Sequence, residues 1–210
     1  TDFSEAQLEL ITGVNATVAT CLDELADIHR FVYANIGDEL LWGTSMPCGL
    51  PDESSIPIAR FGESNVGRAK TVYRNGLAHR YGRRMQTISG IHYNFSIPTG
   101  SWSLAGFGDA NEAYFSLIRN VRRHSWLLLY LFGASPAVCS TFVEGREHQL
   151  QEFSPGTLYL PYATSLRMGR LGYQSAAQDV LDVSYNDLTS YAASLEDALT
   201  RPHPPYEAIG

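Results

Sequence analysis

Cysteine is scarce in this chain. Only Cys21, Cys48 and Cys139 occur, an odd number with no Cys-x-x-Cys pair. That argues against a disulfide-stapled scaffold and reads as a reduced, cytoplasmic protein. Structural zinc has no support either, because no Cys/His pairs stand at ligand spacing. Long apolar runs are also missing. The longest, Trp126 to Phe132, falls far short of the ~20 residues a helix needs to span a bilayer. No basic and apolar signal pattern opens the chain. Positive charge is in deficit: 15 Lys plus Arg face 22 Asp plus Glu, a net charge of -7. Nucleic acid and anionic membrane are therefore not expected as partners. Charge-dense tracts, internal repeats and low-complexity linkers are absent, so no disordered tail is expected.

What is present suits a folded core. The chain has 210 residues, 44% of them hydrophobic, enough for one sizeable core, or for one domain and part of another. Val18, Leu22, Leu25, Ile28, Phe31 and Val32 recur at helical spacing and predict an amphipathic helix over 17–35. The Pro/Gly-rich stretch 42–62 reads as an irregular loop. Helices are expected over 64–81 and 109–132, and a last one from a cap at Asn186 or Asp187 to Leu199, stopped by Pro202. Strands are expected over 86–97 and 158–162. Strands separated by long helical insertions, without βαβ alternation, favour an α+β fold with an antiparallel sheet.

The most informative stretch is 85–96, Met-Gln-Thr-Ile-Ser-Gly-Ile-His-Tyr-Asn-Phe-Ser. As a strand it places Gln86, Ile88, Gly90, His92, Asn94 and Ser96 on one face and Tyr93 and Phe95 on the other. Two amides and an imidazole around a glycine suit a polar ligand approaching closely. The same pattern also suits the solvent face of an edge strand, and alternation alone leaves both readings open.

Asp2, Glu5 and Glu9 stand within nine residues. Carboxylates are what Mg²⁺ prefers, although such clusters are more often a solvated face. The segment 62–69 has P-loop glycine spacing, but Arg68 and Ala69 stand where Lys and Ser/Thr are required. A helix start capped by Ser64 or Asn65 is the better account. Arg167, among tyrosines from Tyr159 to Tyr173, could recognise a carboxylate or phosphate, or be a plain surface arginine. Arg80, Arg83 and Arg84 read as solvated helix-end charges.

These segments carry a family resemblance. Thr1–Ala6, Gly37–Glu39, Ser45–Cys48, Gly62–Arg68, Tyr73–Leu77, Arg80–Gly82, Gln86–Ser96, Leu131–Ala137 and Tyr159–Arg167 resemble the proteobacterial type of glutamate–cysteine ligase, in the family's order over essentially the whole chain. The resemblance implies a fold similar to glutamine synthetase, in which an antiparallel sheet forms an active-site funnel with helices outside. It implies ATP-dependent joining of the glutamate γ-carboxylate to the cysteine amine through a γ-glutamyl phosphate, the first step of glutathione biosynthesis. It further implies that Asp2, Glu9 and His92 bind Mg²⁺, that His92 and Arg167 serve catalysis, and that Gln86, Ile88 and Asn94 wall the glutamate side. Tyr73 and Tyr173 would wall the cysteine side.

The family also has a strand before Thr1 with two more metal-binding glutamates, and one beyond Gly210 with a metal-binding Glu and a phosphate-side Arg. Residues 1–210 are therefore expected to be the central part of a single catalytic domain, incomplete at both ends and inactive alone, with the remainder of the enzyme as a partner. A related carboxylate–amine ligase with another acceptor, or a non-catalytic remnant that binds an amino acid, are the competing readings.

Overall fold

A computed structural model describes residues 1–98, 100–133, 135–169, 171–172 and 179–208, with the side chains of Arg167 and Tyr206 outside that description. The chain divides into two compact units, Thr1–Gly90 with Cys139–Arg146, and Ile91–Val138 with Glu147–Gly210.

The first unit opens with a docked turn and holds α1 (Val18–Asn35), α2 (Asn65–Tyr81) and the single turn α3 (Arg83–Gln86). Both long helices start where a hydroxyl can satisfy a free N–H. Thr17 Oγ1 accepts from the Thr20 amide at 3.2 Å, and Ser64 Oγ accepts from the Gly67 amide at 3.1 Å. Gly67 is the second glycine of the P-loop-like spacing, and its role here is packing. A Cβ at Gly67 would come within 2.5 Å of the carbonyl oxygens of Phe61 and Gly62. Gly82 ends α2 at φ +83°, and a side chain there would strike the Glu53 carboxylate and the Arg146 guanidinium. The core of this unit is Phe3, Ile56, Ala59, Met85, Ile88, Phe142 and Val143. The expected amphipathic helix is present, yet none of its residues is buried. Its apolar stripe lies open along Val18, Leu22 and Phe31.

The second unit contains α4 (Ser101–Leu104), α5 (Ala110–Phe132), α6 (Leu188–Thr200) and α7 (Pro204–Glu207). Asp109 caps α5 through the Glu112 amide at 3.0 Å, and Asp187 caps α6 through the Ser190 amide at 2.8 Å. The hydrogen bond pulls the Asp187 carboxyl below its usual range. Trp102, Ala113, Phe115, Val138 and Leu166 form the core. Trp102 meets Tyr114 edge-on at 4.9 Å, and Phe115 meets Tyr191 at 5.7 Å. α5 and α6 are further tied by Arg119, whose Nη1 donates to the carbonyls of Tyr185 and Asn186 just before α6.

Three short strands, β1 (Ala137–Cys139), β2 (Gln151–Ser154) and β3 (Thr157–Tyr159), form a sheet in the order β1-β3-β2. β2 and β3 are antiparallel, with Gln151 opposite Tyr159 and Glu152 opposite Leu158. Gly156 turns the hairpin at φ +80°. The fold is therefore α+β, as expected.

The expected strand over 86–97 is not formed. Gln86 closes α3, and 88–98 runs without assigned secondary structure. A strand exists only through a neighbour that accepts its hydrogen bonds, and this stretch has no ladder partner among the described residues. Local alternation survives nonetheless. Tyr93 and Phe95 stack on one side with ring centroids 6.4 Å apart. They do not enter a core, being 72% and 67% exposed.

Candidate functional site

In the first unit the site begins with the turn at the chain start. Phe3 is buried to 2% exposure and Ser4 is buried beside it. The Ser4 amide donates to Gln7 Oε1 at 3.1 Å, and the Gln7 amide returns a bond to the Ser4 carbonyl at 3.0 Å. This self-satisfied turn is fixed by three longer ties. Gln7 Nε2 donates to the Gln86 carbonyl at 3.0 Å, the Ala59 amide donates to the Phe3 carbonyl at 2.8 Å, and Arg74 Nε donates to the Asp2 carbonyl at 2.8 Å. Glu5 joins by accepting the Arg60 amide at 2.7 Å.

The result places the Asp2 backbone against α2 at Arg74, next in sequence to Tyr73, and places Gln7 on Gln86. Asp2, Glu9 and Tyr73 are exposed, whereas Gln86 and Ile88 are buried. Exposed carboxylates and an exposed phenol can each meet a ligand from solvent, while the buried Ile88 can only wall it.

Arg74 and Gln7 carry this geometry and were not among the expected site residues. Arg74 also lies over the Phe61 ring at 4.1 Å from its centroid, next to Lys70 at 4.9 Å. Its partner Asp2 is 72 positions away, which no local pattern reveals. Arg84 requires a correction. It was read as a solvated helix-end charge, but it is buried, with Nη1 donating to the Thr141 carbonyl at 2.6 Å and Nη2 paired with Glu144 at 3.1 Å. Its Nε is buried and has no partner among the described atoms. Removing either partner would leave a buried cation uncompensated, so these bonds tie α3 to residues 141–144.

In the second unit His92 and Asn94 are exposed on the extended stretch. Arg167 lies on a 3-10 turn, Leu166–Met168. The segment before it is held at both ends. The Leu160 amide donates to the Pro136 carbonyl at 2.9 Å, and the Leu166 amide donates to the Ser135 carbonyl at 3.2 Å. Gly133 is needed there, since a Cβ would strike the carbonyls of Leu129 and Thr164. Tyr162 in the same segment is fully exposed at φ +66°, a left-handed conformation rare for a bulky side chain. Tyr173 lies outside the described residues.

Metal donors were expected from Asp2, Glu9 and His92. Among the described residues no group of three or more His, Cys, Asp and Glu side chains could hold a metal ion. Among the described residues no such set meets the near-octahedral oxygen coordination that Mg²⁺ needs. No helix among the described residues is long and apolar enough to cross a membrane.

Comparison with known proteins adds an independent view. A family model described as glutamate-cysteine ligase matches residues 1–210. The chain is similar to the glutamate–cysteine ligase of Pseudomonas putida (strain W619), 57% identical over 219 residues, covering 100% of this chain and 42% of that protein. It is 55% identical to the glutamate–cysteine ligase of Pseudomonas aeruginosa PAO1 with the same coverage. Among solved structures it is similar to the Francisella tularensis glutamate–cysteine ligase in complex with AMP. That match has a TM-score of 0.89 at 39% identity, over 100% of this chain and 42% of that one. The chain thus spans about 42% of the length of these relatives.

Proposed function

This chain belongs to the glutamate–cysteine ligase family, and from that premise we propose that it forms the central part of a single catalytic domain that ligates glutamate to cysteine at the expense of ATP. The observation that carries the reading is the agreement in fold, across the whole chain, with a ligase whose structure holds AMP. The complete fold would be an antiparallel funnel similar to that of glutamine synthetase, working in the cytoplasm as the first step of glutathione biosynthesis.

Each residue has a role in this reading. A glutamate γ-carboxylate oxygen attacks the γ-phosphorus of ATP, the bond to the bridging oxygen breaks, and ADP departs. The cysteine amine then attacks the carbonyl carbon of the γ-glutamyl phosphate. A C–N bond forms, the C–O bond to phosphate breaks, and the amine loses a proton. Gln86 and Asn94 orient glutamate, and Ile88 excludes water at that wall. Tyr73 and Tyr173 bind cysteine. His92 and Arg167 offset the negative charge that gathers as two anions meet. Asp2 and Glu9 would supply oxygen donors, with His92, to Mg²⁺. The remaining donors would come from elsewhere in the whole protein, and no step here runs through the ion.

The test is release of ADP that depends on both amino acids, by the intact protein and by residues 1–210 alone. Turnover is expected only from the intact protein, because groups acting as one unit lose far more than a proportional share of rate when divided. In the intact protein Tyr73→Ala should raise the cysteine KM more than the glutamate KM. Equal rises would remove Tyr73 from the acceptor side.

A further inference from the structure

The run from Arg84 to Ile88 is buried without interruption in the first unit. It contains Gln86 and Ile88, the proposed wall of the glutamate side, and it begins with an arginine that has no part in that wall. The Arg84 guanidinium is seated on residues 141–144. Its Nη1 donates to the Thr141 carbonyl at 2.6 Å, and its Nη2 donates to the Glu144 carboxylate at 3.1 Å. Thr141 and Glu144 flank Phe142 and Val143, both buried in the core, so the seat is firm. The main chain of Arg84 meanwhile grips the residue beyond Gln86. Its carbonyl accepts the Thr87 amide at 3.1 Å and the buried Thr87 hydroxyl at 2.7 Å. Gln86 therefore lies inside a turn whose two ends are bonded together and whose first residue is fastened to the core. Past the turn, the Ser89 amide donates to the Ser45 carbonyl at 2.8 Å.

Stability alone is a poor account of this arrangement. Taking an ion pair out of water costs about what the pair returns, and an apolar side chain of similar volume often serves as well. The Arg84 side chain is 9% exposed and that of Glu144 is 69% exposed, so the cation bears most of the desolvation. What the guanidinium adds is direction. A planar fork with two donors on two separate acceptors sets the orientation of α3 as well as its distance from the core. We propose, resting on the ligase reading, that Arg84 is a positioning residue for the glutamate site. Through Thr87 and the turn of α3 it fixes the angle at which Gln86 and Ile88 meet the amino acid. Arg84 acts through these neighbours, not on the substrate itself.

The experiment measures ADP release by the intact protein while glutamate and cysteine are varied in turn. Arg84→Met keeps most of the bulk and removes both bonds. It should raise the glutamate KM roughly tenfold, because a small misplacement of a binding group is expensive, and the cysteine KM by less than about twofold. Arg84→Lys keeps the charge as a single point donor and should recover part of the loss, leaving a rise of about threefold. Glu144→Gln weakens one bond and spares the other, and it should also raise the glutamate KM about threefold. A mere loss of folded protein lowers kcat and leaves each KM in place, so the split between the two substrates separates positioning from stability. If Arg84→Met does not fold, Arg84→Lys and Glu144→Gln carry the same test. An unmoved glutamate KM in these variants, or equal rises for glutamate and cysteine, would overturn the proposal. Wild-type protein that releases no ADP in response to both amino acids would remove the ligase reading, and this inference with it.

Discussion

Residues 1–7 and 91–96 both carry side chains that the proposed ligation would use, yet they are held by different physics. The first stretch is a turn that satisfies its own backbone, through Ser4 and Gln7, and seats one fully buried aromatic, Phe3. The second is extended, with Ile91, Tyr93 and Phe95 open to solvent and no ladder among the described residues. A turn brings its partners with it, whereas an extended segment depends on a neighbour supplied from elsewhere. The difference separates two tasks: the turn presents Asp2 from a rigid base, and the extended stretch presents His92 and Asn94 with little packing of their own.

This contrast can be broken most forcefully at Phe3. Phe3→Ala in the intact protein should cost about 3–5 kcal/mol of stability by urea denaturation, the usual range for emptying a buried aromatic site. A loss near that of a surface change would mean the turn is not anchored as described. Next in size, His92→Ala should lower kcat/KM by ~100-fold while leaving the denaturation midpoint in place, since an exposed imidazole adds no packing. A parallel fall in stability would show that the extended stretch is covered in the intact protein. Gln7→Ala should cost about 1 kcal/mol by removing the bond to the Gln86 carbonyl. It should also speed hydrogen exchange at the Ala59 amide, which is bonded to Phe3. Tyr93→Ser is the smallest change, within about 0.5 kcal/mol. The amides of 91–95 should exchange quickly, and slow exchange there would show that a neighbour accepts their hydrogen bonds in the intact protein.

Sequence legibility follows the same division. The helix starts at Thr17, Ser64, Asp109 and Asp187 were readable because a cap and its N–H partner lie three residues apart. The antiparallel hairpin was half visible, through β3 but not β2, whose Gln151–Ser154 run is exposed and has no apolar alternation. Residues 86–97 misled because a period of two marks extended backbone whether or not a neighbour exists. Arg84 misled for the opposite reason. Its helix-end position was local, while its partners Thr141 and Glu144 lie 57 and 60 positions away. The candidate site was legible as a set of residue types and family motifs. Its fixing contacts, Gln7 to Gln86 and Arg74 to Asp2, were not, because each joins segments more than 70 positions apart.

The stacking of Lys70 over Phe61 has a practical consequence. Lys70 is the one lysine among the 210 residues, the other fourteen basic side chains being arginine. An amine-selective acylating dye therefore has a single side-chain address in this stretch. That address is on α2, one helical turn before the arginine that grips the Asp2 carbonyl. Acylation would remove the cation from the ring and leave a fluorophore beside the docked turn. Its emission would then report when that turn lifts away.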